Sequence, residues 1–141
     1  MIEINYSNLS SNSEPKYAHF KNSGFNLLAD ITNHSDIERN DAGEPILVIK
    51  PFERKLVSTG LRFELPTNFD LTVRSCSILS LNNGIIVLNT PRNDNSDVKV
   101  ILCNISNESF IIKQGSIIAE AVFSTAINND IILLKKKIKN K

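Results

Sequence analysis

Two short stretches of the chain carry residue types that could do chemistry. In the first, Arg74 and Ser75 end an alternating apolar run and precede a stretch that could form a short helical turn. A guanidinium and a hydroxyl at a helix start can hold an anion, although they can also simply cap the helix. In the second, GIIVLNTPRND at 84–94, an apolar run ends at Asn89 and a polar loop with Asp94 follows. This loop could aim an amide and a carboxylate at a small molecule, or form only a hairpin turn.

The elements that must position these residues are predicted to be short β-strands. Runs rich in Ile and Val recur along the chain, and turn signals rich in Asn, Asp, Gly and Pro separate them. Ten or so short strands with short loops predict an all-β fold, either a double-sheet antiparallel jelly roll or a barrel. One stretch, 75–83, could form a short helical turn. The predicted strands cover residues 2–6, 25–31, 46–50, 54–59, 61–65, 69–75, 84–89, 98–104, 109–113, 116–123 and 130–136.

Length and composition fit a single domain over 1–141. With 141 residues the chain can bury a real core, and its apolar share of 41% and charged share of 22% are ordinary for a globular protein. No apolar run approaches the roughly 18 residues needed to cross a bilayer, and no secretory signal is visible, so we expect a cytoplasmic protein without a membrane partner. Asn and Ser crowd the start of the chain, so residues 1–14 could form a mobile arm.

The cysteines, histidines and lysines give weaker signals. Cys76 and Cys103 lie in no CxxC or Cys/His pair, which favours buried thiols over a bridge, and the histidines lack metal-ligand spacing. The sequence therefore predicts no protein-bound metal. Residues 135–141 contain five lysines. Such a tail can attract nucleic acid or an acidic surface, but it can also be a solvated terminus.

The order of several longer motifs resembles the trimeric dUTPase family, the deoxyuridine 5'-triphosphate nucleotidohydrolases. PKYAHFKNSGFNLLADI and ERKLVSTGLRFELP resemble that family's opening segments. VRSCSILSLNNGIIVLNTP resembles its Pro-Arg-Ser-Gly-Leu-Ala helix start and the strand that leads to its substrate hairpin. VKVILCNISNESFIIKQGSIIAEAVF resembles its next strand pair and its Gly-x-Arg-Ile-Ala-Gln element. The resemblance covers about residues 15–123, in the family's order.

This resemblance implies a jelly-roll subunit, a homotrimer with active sites at subunit junctions, and cleavage of dUTP to dUMP and pyrophosphate. It implies Mg²⁺ as a cofactor that is bound through the nucleotide phosphates. By position in the motifs, Arg74 and Ser75 would hold phosphates and Asn89 would contact the base. Asp94 would be the catalytic carboxylate that orients or deprotonates the attacking water, if it is not only a turn residue.

Several motif positions depart from the family pattern. Asn26 stands where the family has Asp, and it could be only a structural remnant. Cys76 stands where the family has Gly after the phosphate-binding pair, and its side chain would narrow the approach to phosphate. Ile117 replaces an Arg, and Glu120 replaces a Gln that lies within reach of the phosphates, so that its charge would repel them. These changes affect binding and chemistry alike.

The substrate hairpin and the C-terminal region also differ. Only RNDNSD, 92–97, stands where the family has about ten residues, including a Tyr that packs on the deoxyribose. The shorter hairpin would move the carboxylate of Asp94 or Asp97, and a displacement of ~1 Å can cost ~100-fold in rate. A Gly-rich arm is not found after Phe123. These losses predict a retained fold in which hydrolysis is weakened or lost.

Two other functions remain open at this point. One is a non-catalytic dUTPase-like trimer that binds a nucleotide, a protein or a nucleic acid, the last through the lysine tail. The other is deoxycytidine triphosphate deaminase, which shares the fold. That enzyme needs a Glu and an Arg placed for deamination in an extended C-terminal half, and no such arrangement is visible.

Overall fold

The computed structural model describes residues 2–17, 24–91, 97–125 and 131–138. Eleven short strands and one helix form within these ranges. In chain order they are β1 (Asn5–Asn8), β2 (Phe25–Leu28), β3 (Glu38–Arg39), β4 (Pro45–Ile49), β5 (Arg54–Ser58), β6 (Leu61–Glu64), β7 (Phe69–Arg74), α1 (Ser77–Asn83), β8 (Ile85–Asn89), β9 (Lys99–Asn104), β10 (Phe110–Ile112) and β11 (Ile117–Thr125).

All the strand pairs in the described ranges are antiparallel. The three-stranded sheets have the orders β2-β11-β7, β5-β9-β8 and β10-β4-β3, and β1 pairs with β6. Most neighbours are far apart in the chain, so long connections carry the chain between sheets as a jelly roll requires. The fold is the all-β, double-sheet antiparallel jelly roll that the sequence predicts.

The core is built from the alternate residues of these strands. In β9 the buried side chains are Val100, Leu102 and Asn104, while Lys99, Ile101 and Cys103 lie on the opposite, half-buried face. This alternation places every second side chain of a strand on the core face. Burying a large apolar side chain fully stabilises the fold by about 1.5–3 kcal/mol. The largest buried apolar side chains are Leu27, Ile31, Leu47, Ile49, Val57, Ile85, Val100, Leu102, Ile112 and Ile118.

One buried polar side chain joins three parts of the fold. Asn104 at the end of β9 is fully buried. Its Nδ2 donates to the Ile49 carbonyl of β4 at 2.9 Å and to the Glu108 carbonyl at 2.7 Å. Its Oδ1 accepts the Ser106 N–H at 2.9 Å. The amide therefore satisfies backbone groups that the β9–β10 turn leaves without strand partners.

The short helix α1 lies between β7 and β8. Its N-cap is Cys76, which is buried and makes no side-chain capping hydrogen bond, and its C-cap is Gly84 in the left-handed region at φ 66°. Glycine is the residue that adopts this conformation without strain, and it lets the chain turn directly into β8. The helical turn that the sequence predicts over 75–83 is confirmed, but it begins at Ser77.

The predicted and observed strands differ in several places. The two-residue strand β3 was missed because Glu38–Arg39 is charged and carries no apolar alternation. The first strand is not 2–6 but Asn5–Asn8, which pairs with β6 from Tyr6↔Phe63 to Asn8↔Leu61. This pairing joins residues 5–8 of the predicted arm to β6.

The strand predicted over 130–136 is wrong for the residues that the structure describes there. Residues 131–138 form no strand, and the side chains of Ile131, Ile132, Leu133 and Leu134 are exposed. Strand propensity alone cannot form a strand without a sheet edge to pair with. No helix in the described ranges is long and apolar enough to span a membrane.

Candidate functional site

Three of the predicted site positions form one row across the sheet β2-β11-β7. Glu120 of β11 lies directly opposite Asn26 of β2 on one side and Arg74 of β7 on the other. Its chain neighbours Ala119 and Ala121 are buried, so Glu120 points away from the core. Directly opposite residues in antiparallel strands have Cβ atoms about 5 Å apart. The fold therefore places an amide, a carboxylate and a guanidinium side by side on one face.

Within this row, Arg74 and Glu120 form an ion pair. Nε of Arg74 donates to Oε2 of Glu120 at 3.3 Å, and the two side chains are 51% and 33% exposed. Ion pairs at this level of exposure contribute at most about 1 kcal/mol to stability, because water screens both charges. A more highly charged anion can therefore compete with Glu120 for the guanidinium.

Ile117 stands at the other end of β11 and adds no charge to the row. It is the first residue of that strand, lies opposite Leu28, and precedes a register shift between Ile117 and Ala119. Its side chain is 42% exposed. An apolar side chain at the position where the family has Arg leaves the edge of the face without the cation that the resemblance would supply.

Ser75 lies in the connection between β7 and α1 and has a structural partner. Its Oγ accepts the Val87 N–H of β8 at 2.8 Å. The expectation that Arg74 and Ser75 mark the helix start is wrong by two residues, because Arg74 ends β7 and α1 begins at Ser77. The role of Arg74 and Ser75 in phosphate binding stays a prediction.

The helix boundary gives the family's helix-start motif a different register. Leu79 packs against the core. If Leu79 matches the Leu of Pro-Arg-Ser-Gly-Leu-Ala, then Cys76 replaces the Arg, Ser77 is the Ser, and Ile78 replaces the Gly. Sequence reasoning missed Ser77 because it aligned the motif on the Arg-Ser dipeptide. The signal that points to Ser77 as the helix start is the left-handed Gly84 that ends the helix.

The predicted base-contacting residue lies near this connection. Asn89 is the exposed last residue of β8, two positions after Val87, which Ser75 holds. Its Oδ1 accepts the Thr90 N–H at 2.8 Å, so the Nδ2 group is the part of its amide that can donate to a ligand. A register shift between Val87 and Asn89 changes the direction in which the end of β8 faces.

Asp94 lies outside the described residues, but the alternative carboxylate does not. Asp97 accepts a hydrogen bond from the Ser58 hydroxyl of β5. It lines a cavity of about 700 Å³ together with Asp30, His34 and Lys99. This cavity holds both signs of charge, so it is polar without favouring one sign of ligand.

His34 in that cavity is fully engaged by the backbone. Its Nδ1 accepts the Asp36 N–H at 3.0 Å, which makes Nε2 the donor to the Leu56 carbonyl at 3.0 Å. Both ring nitrogens therefore hold the 31–36 loop against β5. This arrangement gives His34 a structural role rather than a catalytic one.

The fold and the site together define a jelly-roll protein in which the polar face of the sheet β2-β11-β7 can contact a charged small molecule. A family model described as dUTPase matches residues 44–141 of the chain. The deoxyuridine 5'-triphosphate nucleotidohydrolase of Cytophaga hutchinsonii is 36% identical over 121 residues, which cover 83% of this chain and 71% of the relative. The chain belongs to the dUTPase family.

Two further comparisons set the limits of this likeness. The deoxyuridine 5'-triphosphate nucleotidohydrolase of Nautilia profundicola is 44% identical over 90 residues, 61% of this chain and 63% of the relative. The match to four such curated relatives spans 51% to 67% of their length. The dUTPase of Staphylococcus bacteriophage 80alpha has the same fold, with a TM-score of 0.73 at 12% identity over 97% of this chain and 99% of its own.

Proposed function

We propose that the chain binds dUTP and hydrolyses it to dUMP and pyrophosphate with Mg²⁺, at a rate well below that of family members with intact motifs. The observation that carries this proposal is the row of Asn26, Glu120 and Arg74 on adjacent strands. The resemblance assigns Asn26 and Glu120 to the nucleotide site, Arg74 lies beside them in the row, and the chain belongs to the dUTPase family. The name of its curated relatives supports dUTP as the substrate.

The proposed chemistry is the attack of a water on the α-phosphorus. A carboxylate of the hairpin, Asp94 or Asp97, orients the water and accepts its proton. The water oxygen forms a bond to the α-phosphorus while the bond to the bridging oxygen breaks, and pyrophosphate leaves. The Nδ2 group of Asn89 would donate to a carbonyl of the uracil ring, and the guanidinium of Arg74 would contact the phosphates.

The residues of the strand row fit a magnesium ion that the nucleotide carries. Mg²⁺ keeps most of its water shell and needs only one or two protein oxygens. Among the described residues no group of three or more His, Cys, Asp or Glu side chains could cage a metal. Glu120 and Asn26 would contact the water shell through their side-chain oxygens. When bound, the ion neutralises the triphosphate.

Three changes support a reduced rate. Cys76 and Ile78 take the positions of an arginine and a glycine in the helix-start motif, so a cation and a close backbone approach are both lost. Glu120 brings a negative charge to the phosphate side of the site. Because catalytic charges must be aimed at the transition state, losing one such donor costs about 100-fold or more in rate.

We also propose a homotrimer in the cytoplasm. The resemblance places the family's sites at subunit junctions. The outer face of β5-β9-β8 carries Leu56, which is 43% exposed, directly opposite Ile101. Apolar side chains on one face of a sheet favour contact with another protein surface. Both cysteines are free, which suits a reducing compartment.

The test is pyrophosphate release from dUTP by the purified full chain with Mg²⁺. We expect slow release from dUTP and much less from dTTP or dCTP. Asp94→Asn should lower the rate by about 100-fold or more, because general base catalysis contributes factors of that size. Asp97→Asn decides which carboxylate acts. Asp41→Asn, in the exposed 40–43 turn, is the matched control and should keep the full rate.

A second candidate function is a non-catalytic trimer that binds a nucleotide. The ion pair between Arg74 and Glu120 favours it, because the cation proposed for phosphate contact already has an anionic partner. Calorimetric titration with a non-hydrolysable dUTP analogue would show binding without turnover.

This second candidate could also bind nucleic acid, through the exposed lysines 135–137. Binding to DNA through them should weaken steeply with salt, whereas robust turnover of dUTP would exclude a purely non-catalytic role.

A further inference from the structure

We propose that the carboxylate of Glu120 occupies the guanidinium of Arg74, and that it lowers the site's affinity for ligands that carry several phosphates. This inference deepens the proposed function and rests on it for the nucleotide ligand. We expect Glu120 to lower the affinity for these ligands through its ion pair with Arg74, in addition to repelling phosphate directly.

The geometry of the row carries the proposal. Glu120 is the central residue of three, with Asn26 on one side and Arg74 on the other. The 3.3 Å contact involves Nε of the guanidinium, the atom nearest the chain. The carboxylate therefore approaches the guanidinium from the side of β11. An anionic ligand that lies over the middle of the row would contact the guanidinium from the same side.

The exposure of the pair decides whether a ligand can compete. Arg74 and Glu120 are 51% and 33% exposed, so water reaches both charges and their attraction is modest. A ligand with one phosphate gains little by replacing a carboxylate that is already in contact. A triphosphate brings more charge to Arg74, but it also meets more repulsion from Glu120. The cost of Glu120 should therefore grow with the number of phosphates.

Replacing the carboxylate by an amide tests this effect. Glu120→Gln keeps the size and one oxygen of the side chain, removes the charge, and puts an NH2 donor in place of the second oxygen. The probes are deoxyuridine, dUMP, a non-hydrolysable dUTP analogue, and inorganic triphosphate, each titrated calorimetrically without Mg²⁺, so that the ion does not offset the repulsion. We expect no change for deoxyuridine, a small gain for dUMP, and a gain of about fivefold or more for both triphosphates. That factor corresponds to a like-charge repulsion of the size found in water at contact distance.

A double-mutant cycle with Arg74→Gln tests whether Glu120 acts through Arg74. In the Arg74→Gln background, Glu120→Gln should gain clearly less affinity for inorganic triphosphate than it gains in the native chain. Glu64→Gln, at an exposed position of strand β6 in another sheet, is the control for a change of net charge and should leave all four affinities unchanged. Circular dichroism spectra of the variants confirm that each is folded.

The outcomes separate the two proposals. A gain that is equal for all probes, absent for both triphosphates, or undiminished in the Arg74→Gln background overturns the role of Glu120. A triphosphate-selective gain that depends on Arg74 supports it, even if neither dUTP turnover nor uridine-dependent binding is detected. That last result would leave an anion-binding face and overturn only the proposed function.

Discussion

At the scale of single residues, the described side chains divide into those that hold the fold and those that face solvent at the site. Ser75 belongs to the first group, because its hydroxyl accepts the Val87 N–H. Ser75→Ala should leave that N–H without its partner and lower the free energy of unfolding by about 1 kcal/mol. Urea titration measures this loss, and the exposed Ser109→Ala is the control. A normal stability with a weaker affinity for triphosphate would instead give Ser75 the phosphate role.

Tyr6 gives a prediction of pH dependence. Its hydroxyl donates to Oε2 of Glu14 at 2.9 Å, and this hydrogen bond is the main reason why the pKa of Tyr6 is raised above its ordinary value of 10.0. The stabilisation by this bond is fully present below the ordinary pKa and is lost as the pH rises through the raised one. Tyr6→Phe should remove the high-pH part of the tyrosinate absorbance titration. An unchanged titration curve would contradict this assignment.

At the scale of elements, the end of β9 depends on one amide. Asn104→Ala removes two donated hydrogen bonds and one accepted from the backbone in a fully buried position. Because buried backbone groups then lose their partners, we expect a loss of about 3 kcal/mol in the free energy of unfolding. Asn107→Ala, on an exposed turn position, should change it by less than about 0.5 kcal/mol. Chemical denaturation of both variants makes the comparison, and equal losses would contradict the central role of Asn104.

The helix α1 explains why element boundaries limited the sequence analysis. Its existence follows from the run after Ser75, but its start could not be read from residue types because Cys76 is a poor N-cap. The packing of Leu79 and the left-handed Gly84 help to fix the helix in place. Strand β7 ends at Arg74, and the helix starts at Ser77 rather than at Ser75.

At the scale of the whole molecule, the proposed trimer predicts a particle with three times the chain mass of 15.7 kDa. Leu56→Glu should shift this particle towards smaller species, because it puts a charge in place of the exposed apolar side chain opposite Ile101. Analytical ultracentrifugation over a range of concentrations measures the particle mass of the native chain and of the Leu56→Glu variant. Glu64→Gln on β6 should keep the native mass. A monomer at all concentrations would contradict the trimer, and a trimeric Leu56→Glu would move the interface to another face.

Much of the architecture could be predicted from the sequence, because Ile- and Val-rich alternation identifies strands that carry their own buried face. The charged pair Glu38–Arg39 could not be found this way, since its strand depends on pairing with β4. The site was predicted only as separate positions. That Asn26, Glu120 and Arg74 share one row depends on the register of three strands that are far apart in the chain. The contact between Ser75 and Val87 depends on tertiary structure in the same way.

The two thiols differ in accessibility, and this difference offers a probe of the native chain. Cys76 is buried at the helix cap, whereas Cys103 is half-buried on the outer face of β9, opposite Ile86 and Arg54. In the single chain a maleimide fluorophore should therefore reach Cys103 first, without any engineered substitution, and the proposed trimer contact on the same face should slow this coupling. Its emission and its rate of coupling would then report directly on whatever covers that sheet.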